Sequence, residues 1–118
     1  MQAHDVEANF SHCGDTSLPF YDALYRFGDG VADILPLDER SAVYMANGYA
    51  RVSGKAGVCE GPSGDGAAYI LPGAVEANES PVLIRAMTTD IVVGSRDKCI
   101  CTRLDQEALF RPFSNRAG

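Results

Sequence analysis

At 118 residues the chain is long enough for one domain and one modest core. An apolar content of 46%, a charged content of 22% and a formal charge of −6 are ordinary for a soluble globular protein. They exclude a nucleic-acid surface, since no basic run or basic-aromatic stripe occurs.

No apolar run is long enough to span a bilayer. The opening Met1-Gln2-Ala3-His4-Asp5 lacks the basic and apolar regions of a signal peptide, so the expected location is the cytoplasm.

In chain order, residues 6–10 read as a strand, followed by the turn signal Gly14-Asp15. Residues 17–27 read as a helix that tolerates Pro19 in its first turn, where the missing N–H is not needed. The turn Gly28-Asp29-Gly30 leads to a second strand over 31–35. Over 38–51, Ala42, Val43, Met45, Ala46, Tyr49 and Ala50 recur at three- and four-residue spacing, the mark of an amphipathic helix. Asp38 is its expected N-cap, and Ser53-Gly54 closes it.

Residues 57–60 form a short third strand that opens into Gly61-Pro62-Ser63-Gly64-Asp65-Gly66. A third helix follows over 67–78, with Pro72 as a candidate kink. Residues 81–87 read as a fourth strand interrupted by Arg85; a polar loop over 88–97 then leads to a last helix over 105–111. Strands alternating with helices indicate a parallel α/β sheet with right-handed crossovers.

Sites in such sheets form beyond the carboxyl ends of the strands. Three features land there: the loop over 12–16, Glu39, and the loop over 61–66. Glu39 heads the apolar face of its helix, about one turn before Ala42 and Val43. Helix dipoles favour first-turn acids, so electrostatics alone could explain it.

Other chemistries fare worse. The four cysteines, Cys13, Cys59, Cys99 and Cys101, match neither zinc-pair nor redox spacing and read as free thiols of a reducing compartment. Cys13 beside His12 is a poor nucleophile pair, because neighbours on a strand end point apart. No serine lies in a nucleophile elbow. The 61–66 loop has no Walker Lys-Ser/Thr and no dinucleotide fingerprint, and Asp65 would repel a phosphate.

Gly14-Asp15-Thr16-Ser17-Leu18-Pro19, Asp38-Glu39-Arg40-Ser41-Ala42 and Met45-Ala46-Asn47-Gly48-Tyr49-Ala50-Arg51 form an ordered set with two later segments. These are Gly61-Pro62-Ser63-Gly64-Asp65-Gly66-Ala67-Ala68-Tyr69 and Leu104-Asp105-Gln106-Glu107. Together they resemble the aminopyrimidine-binding (PYR) domain of thiamine-diphosphate enzymes. The likeness is to the acetolactate synthase, pyruvate oxidase and benzoylformate decarboxylase group, and it covers residues 6–113.

The resemblance implies an α/β, flavodoxin-like parallel sheet with helices on both faces, with 1–118 forming a single partial PYR domain. It implies that Glu39 hydrogen-bonds N1′ of the cofactor's aminopyrimidine and favours the tautomer that activates the thiazolium. It places Gln106 toward the reacting centre, and Gly14, Pro62, Gly64 and Gly66 on the cofactor side. Thiamine diphosphate is the implied cofactor and a 2-keto acid the implied substrate, undergoing decarboxylation and transfer to an acceptor.

The diphosphate and Mg²⁺ would be held by a partner domain or subunit, in a homo- or heterodimer; FAD would belong to the full enzyme only. The metal-binding pattern of that partner is Gly-Asp-Gly with a distant Asn. Gly28-Asp29-Gly30 and Gly64-Asp65-Gly66 lack that Asn and read as turns, so no metal ligand is expected here.

Asp65 and Tyr69 depart from the usual proline and asparagine of the third loop, and Cys13 replaces a frequent proline. Both ends look clipped relative to the family. A non-catalytic remnant that binds or dimerises is the alternative reading. An unrelated nucleotide-binding domain is disfavoured by the missing phosphate fingerprint.

Overall fold

The computed structural model describes residues 5–95, 98 and 103–114, so Cys99 and Cys101 lie outside the described residues. Four strands, β1 (Ala8–Ser11), β2 (Ala32–Ile34), β3 (Gly57–Gly61) and β4 (Ile84–Thr88), form one sheet in the order β2-β1-β3-β4. Every pairing is parallel, as the alternation of strand and helix requires. Phe10 stands opposite Ile34 and Cys59, and Ser11 opposite Glu60.

The helices are α1 (Leu18–Phe27), α2 (Glu39–Ser53), α3 (Asp65–Asn78) and the short α4 (Gln106–Phe110). Side chains alternate across a strand, so the two sheet faces receive different residues. Phe10, Ala8 and Cys59 join Ala42, Val43, Ala46 and Ile70 in the core beneath α2 and α3. Asn9, Ser11 and Glu60 point to the opposite face, where Tyr21 of α1 reaches Glu60. One side of the sheet is therefore apolar, and the other carries these polar groups beside Val58.

Glycine permits close packing on the apolar side. A Cβ on Gly57 would meet the Ala46 carbonyl oxygen at 2.1 Å, and one on Gly73 would meet Val43 Cγ1 at 2.3 Å. Val43 and Ile70 are fully buried, each contributing roughly 1.5–3 kcal/mol by leaving water. Arg51 then ties α2 to the end of α3 through Glu76 and Ser80, steadied by Asn47 Oδ1 at 2.8 Å.

The element ends differ modestly from the sequence reading. A 3₁₀ turn, Asp15–Ser17, precedes α1, and β4 begins at Ile84 rather than at residue 81. The third helix starts two residues early, at Asp65, and continues through Pro72. No helix among the described residues is long and apolar enough to cross a membrane.

Candidate functional site

Asp38 ends the connection after β2 in extended conformation and caps α2, its Oδ1 accepting the Ser41 N–H at 2.7 Å. That cap fixes where the helix begins and leaves Glu39 as its first residue. The helix then carries Glu39 inward, to 8% exposure. Among the described residues no hydrogen bond or ion pair reaches its carboxylate. Its oxygens are not among the unpartnered atoms sealed from solvent, so the carboxylate opens toward the strand ends and is free to meet an incoming donor.

The 61–66 loop supplies the opposite wall. A Cβ on Gly61 would lie 3.2 Å from Glu39 Cγ, and one on Gly66 would lie 2.9 Å from Glu39 Oε1. Pro62 is wedged between two glycines: added Cβ atoms on Gly14 and Gly66 would each come within 2.5 Å of its ring. Gly64 takes φ +74°, a left-handed conformation that L side chains rarely adopt, and so turns the loop into α3. The structure thus brings Glu39, Gly14, Pro62, Gly64 and Gly66 together at the carboxyl ends of β1 and β3.

Gln106 does not join them directly. As the first residue of α4, it donates from Nε2 to the Thr89 carbonyl at 2.9 Å, just beyond β4. Thr89 N–H in turn donates to the Gly61 carbonyl at 3.3 Å, which places Gln106 at the same end of the sheet. Gln106 also borders a cavity of about 490 Å³ walled by Ala77, Ile84, Ala86, Phe110 and Phe113. That cavity lies along β4, apart from Glu39.

The two departures from the expected loop sit at its rim. Asp65 is exposed and accepts the N–H of Gly66 at 3.1 Å. Tyr69 is half-exposed, with the Arg40 guanidinium 5.5 Å from its ring centre and bonded to Asp38. This rim carries both charge and an aromatic face.

Sequence reasoning missed Glu60. It occupies the penultimate position of an otherwise small and apolar strand, is 1% exposed, and accepts Ser17 Oγ at 2.5 Å and Tyr21 OH at 3.0 Å. Burial raises its pKa, the hydrogen bonds from Ser17 and Tyr21 pull it back in part, and the charges of Asp33 and Glu39 push it up. The one available signal was an acidic residue inside a strand that had to be buried. Tyr21 is also raised, chiefly by burial.

Two cysteines and one histidine, Cys13, Cys59 and His12, lie among the described residues. Burial pushes the Cys59 thiol up to about 12, leaving it inert. His12 turns its Nδ1 to the Pro36 carbonyl at 3.2 Å, while Cys13 is exposed beside Gly14. Among the described residues no group of three or more His, Cys, Asp or Glu is placed to hold a metal ion.

Against this geometry stand the comparisons with known proteins. The family described as thiamine pyrophosphate enzyme, N-terminal TPP binding domain, matches residues 1–109. The chain is 35% identical over 113 residues to a probable acetolactate synthase large subunit of Methanococcus aeolicus, covering 96% of the chain and 18% of that relative. It is 36% identical over 91 residues to acetolactate synthase isozyme 2 large subunit of Escherichia coli (strain K12), covering 77% of the chain and 16% of that relative.

In three dimensions it is similar to a thiamine diphosphate-dependent 4-hydroxybenzoylformate decarboxylase of Rhodococcus jostii RHA1, with a TM-score of 0.86 at 20% identity. That match covers 97% of the chain and 21% of the other, and it establishes the fold. The chain therefore spans about a fifth of the length of proteins like it.

Proposed function

The chain belongs to the thiamine pyrophosphate enzyme N-terminal TPP-binding family, and from that premise we propose that it is the aminopyrimidine-binding half of an acetolactate synthase-like enzyme acting on a 2-keto acid. The observation that carries the proposal is Glu39, a largely buried residue whose carboxylate stays open and without a partner among the described residues, set against Gly61 and Gly66. An aminopyrimidine ring nitrogen is the partner such a group lacks.

The residues present fit thiamine diphosphate. Glu39 would hydrogen-bond the aminopyrimidine and exchange a proton with its ring nitrogen, as general acid–base groups do. Gly14, Pro62, Gly64 and Gly66 would form the wall on which the ring rests, the glycines allowing backbone to approach where a Cβ would intrude. When bound, the cofactor supplies the nucleophilic carbon and the electron sink for decarboxylation. Gln106, tied through Thr89 to Gly61, is the second candidate for the reacting side.

The diphosphate and Mg²⁺ are assigned to a partner domain, because a hard cation needs an oxygen cluster and the described residues of this chain offer none. The site is then shared between two domains or subunits, in a homo- or heterodimer.

The test pairs the chain with that domain and follows thiamine diphosphate binding and CO₂ release from pyruvate, in wild type and in Glu39→Gln. Binding with turnover that collapses in the variant supports the assignment. Equal turnover in the two proteins overturns it. Binding without any CO₂ release turns the reading toward a non-catalytic module.

A further inference from the structure

Three segments near the strand ends converge on one residue that belongs to none of them. Thr89 is the first residue beyond β4 and is half-buried. Its N–H donates to the Gly61 carbonyl at 3.3 Å, and its own carbonyl accepts Gln106 Nε2 at 2.9 Å. Its hydroxyl lies 2.9 Å from Thr16 Oγ1 and 3.3 Å from Ser17 Oγ. One residue thus touches the segment after β1, the loop after β3 and the start of α4.

Proton counting gives the direction of the hydroxyl bonds, since each hydroxyl has a single proton to donate. Ser17 gives its proton to Glu60 Oε1, so toward Thr89 it can only accept. Thr89 then donates to Ser17 and accepts from Thr16. Thr16 Oγ1 in turn accepts the Ser63 N–H at 3.0 Å. The series runs from the backbone of the 61–66 loop to a carboxylate, and each bond polarises the next.

Ser63 stands in the middle of that loop, 3% exposed, and its own hydroxyl has no partner among the described residues. The bond from its N–H to Thr16 therefore ties the loop to the segment after β1. Gly61 and Gly66 of the same loop pack against Glu39, where added Cβ atoms would lie 3.2 and 2.9 Å from its side chain. A shift of the loop is felt at the carboxylate.

We propose that Thr89 is a positioning residue of the Glu39 site: its hydroxyl fixes the 61–66 wall against Glu39, and its peptide groups hold Gln106 in register with that wall. The role rests on the reading of Glu39 as the acid that meets the cofactor. A wall already ordered when the cofactor arrives spares the binding step the entropy of ordering it.

Thr89→Val keeps the shape and both backbone bonds and removes only the hydroxyl, while Thr89→Ser retains it. In the full chain without cofactor, the Ser63 amide should exchange about tenfold faster in the valine variant, as expected for the loss of about one hydrogen bond. The serine variant should return it to the wild-type rate. Thr16→Val, which deletes the acceptor of the Ser63 N–H itself, should show the same loosening and serves if Thr89→Val does not fold. A merely structural role would instead lower the protection of core amides, such as those of Val43 and Ala46, by the same factor.

With the partner domain present, thiamine diphosphate affinity should fall about tenfold in Thr89→Val and recover in Thr89→Ser. Faster Ser63 exchange with unchanged affinity overturns the proposal, as does an affinity loss that serine does not restore, or equal loosening of Ser63 and the core. If the wild-type pair fails to bind thiamine diphosphate, the assignment of Glu39 falls, and the role of Thr89 at that site falls with it. Wild-type binding that Thr89→Val reproduces removes Thr89 alone.

Discussion

Glu39 Oε1 stands 2.9 Å from where a Cβ on residue 66 would be, so the carboxylate faces a gap that only glycine leaves open. The other atoms that such a Cβ would meet belong to the Pro62 ring, at 2.5 and 2.7 Å, and a ring cannot swing aside as a long side chain can. Gly66→Ala must therefore move either the proline or the carboxylate. The expected result is a loss of about 1–3 kcal/mol of stability, the usual cost of overpacking, with a larger loss of thiamine diphosphate affinity. Denaturant unfolding and calorimetric titration separate the two.

Glu39→Gln keeps the shape of that wall and removes the acid–base group. Turnover in the paired protein should fall by about 10²–10⁴-fold, the span that positioned proton transfer supplies. Cofactor binding should stay within a small factor, because an amide still hydrogen-bonds a ring nitrogen. No ion pair is lost among the described residues, so the thermal midpoint should not drop. A variant that binds poorly and unfolds early would mark Glu39 as structural instead.

Much of this arrangement was legible in the sequence. The period of Ala42, Val43, Ala46 and Ala50 announces α2, and those four residues are buried as the pattern requires. Asp38 caps the helix because its short acceptor reaches Ser41 N. Glu39 and Pro62 could be assigned to one cleft because parallel strands deliver their following loops to one edge.

What escaped was tertiary. Ser17 and Tyr21 meet Glu60 across 43 and 39 residues, and no local pattern pairs them. The early start of α3 also had no signal, since Gly64 occupies the N-cap without a side-chain bond. Gln106 lies near the strand ends, with its amide engaged by a backbone carbonyl that sequence does not reveal.

The contact between Gly73 and Val43 offers a test of the fold independent of any cofactor. A Cβ at residue 73 would meet both γ-methyls of Val43, at 2.3 and 2.8 Å, in the seam between α2 and α3. Val43 is fully buried, so it has nowhere to retreat. Gly73→Ala should destabilise by about 1–3 kcal/mol despite the better helix propensity of alanine. Adding Val43→Ala should cost less in that background than in wild type, and a double-mutant cycle in urea gives the coupling directly. Additive effects would mean that the helices are not in contact there.

Asp38 gives the fold a pH dependence of its own. The Ser41 N–H, then the Arg40 guanidinium, lowers its pKa from 3.8 to about 2. A carboxylate held below its unfolded value stabilises the fold above 3.8, and that contribution is lost as pH falls through about 2. Asp38→Asn keeps an oxygen for the cap and loses the charge; Asp38→Ala loses both.

The thermal midpoint of wild type should therefore fall between pH 4 and pH 2 more steeply than that of either variant. Near neutral pH the order should be wild type, then Asn, then Ala, because the cap survives in the first two. Since Glu39 is the next residue, loosening the start of α2 should also weaken thiamine diphosphate binding in the alanine variant before the asparagine one. Equal binding in the two variants would separate the cap from the placement of Glu39.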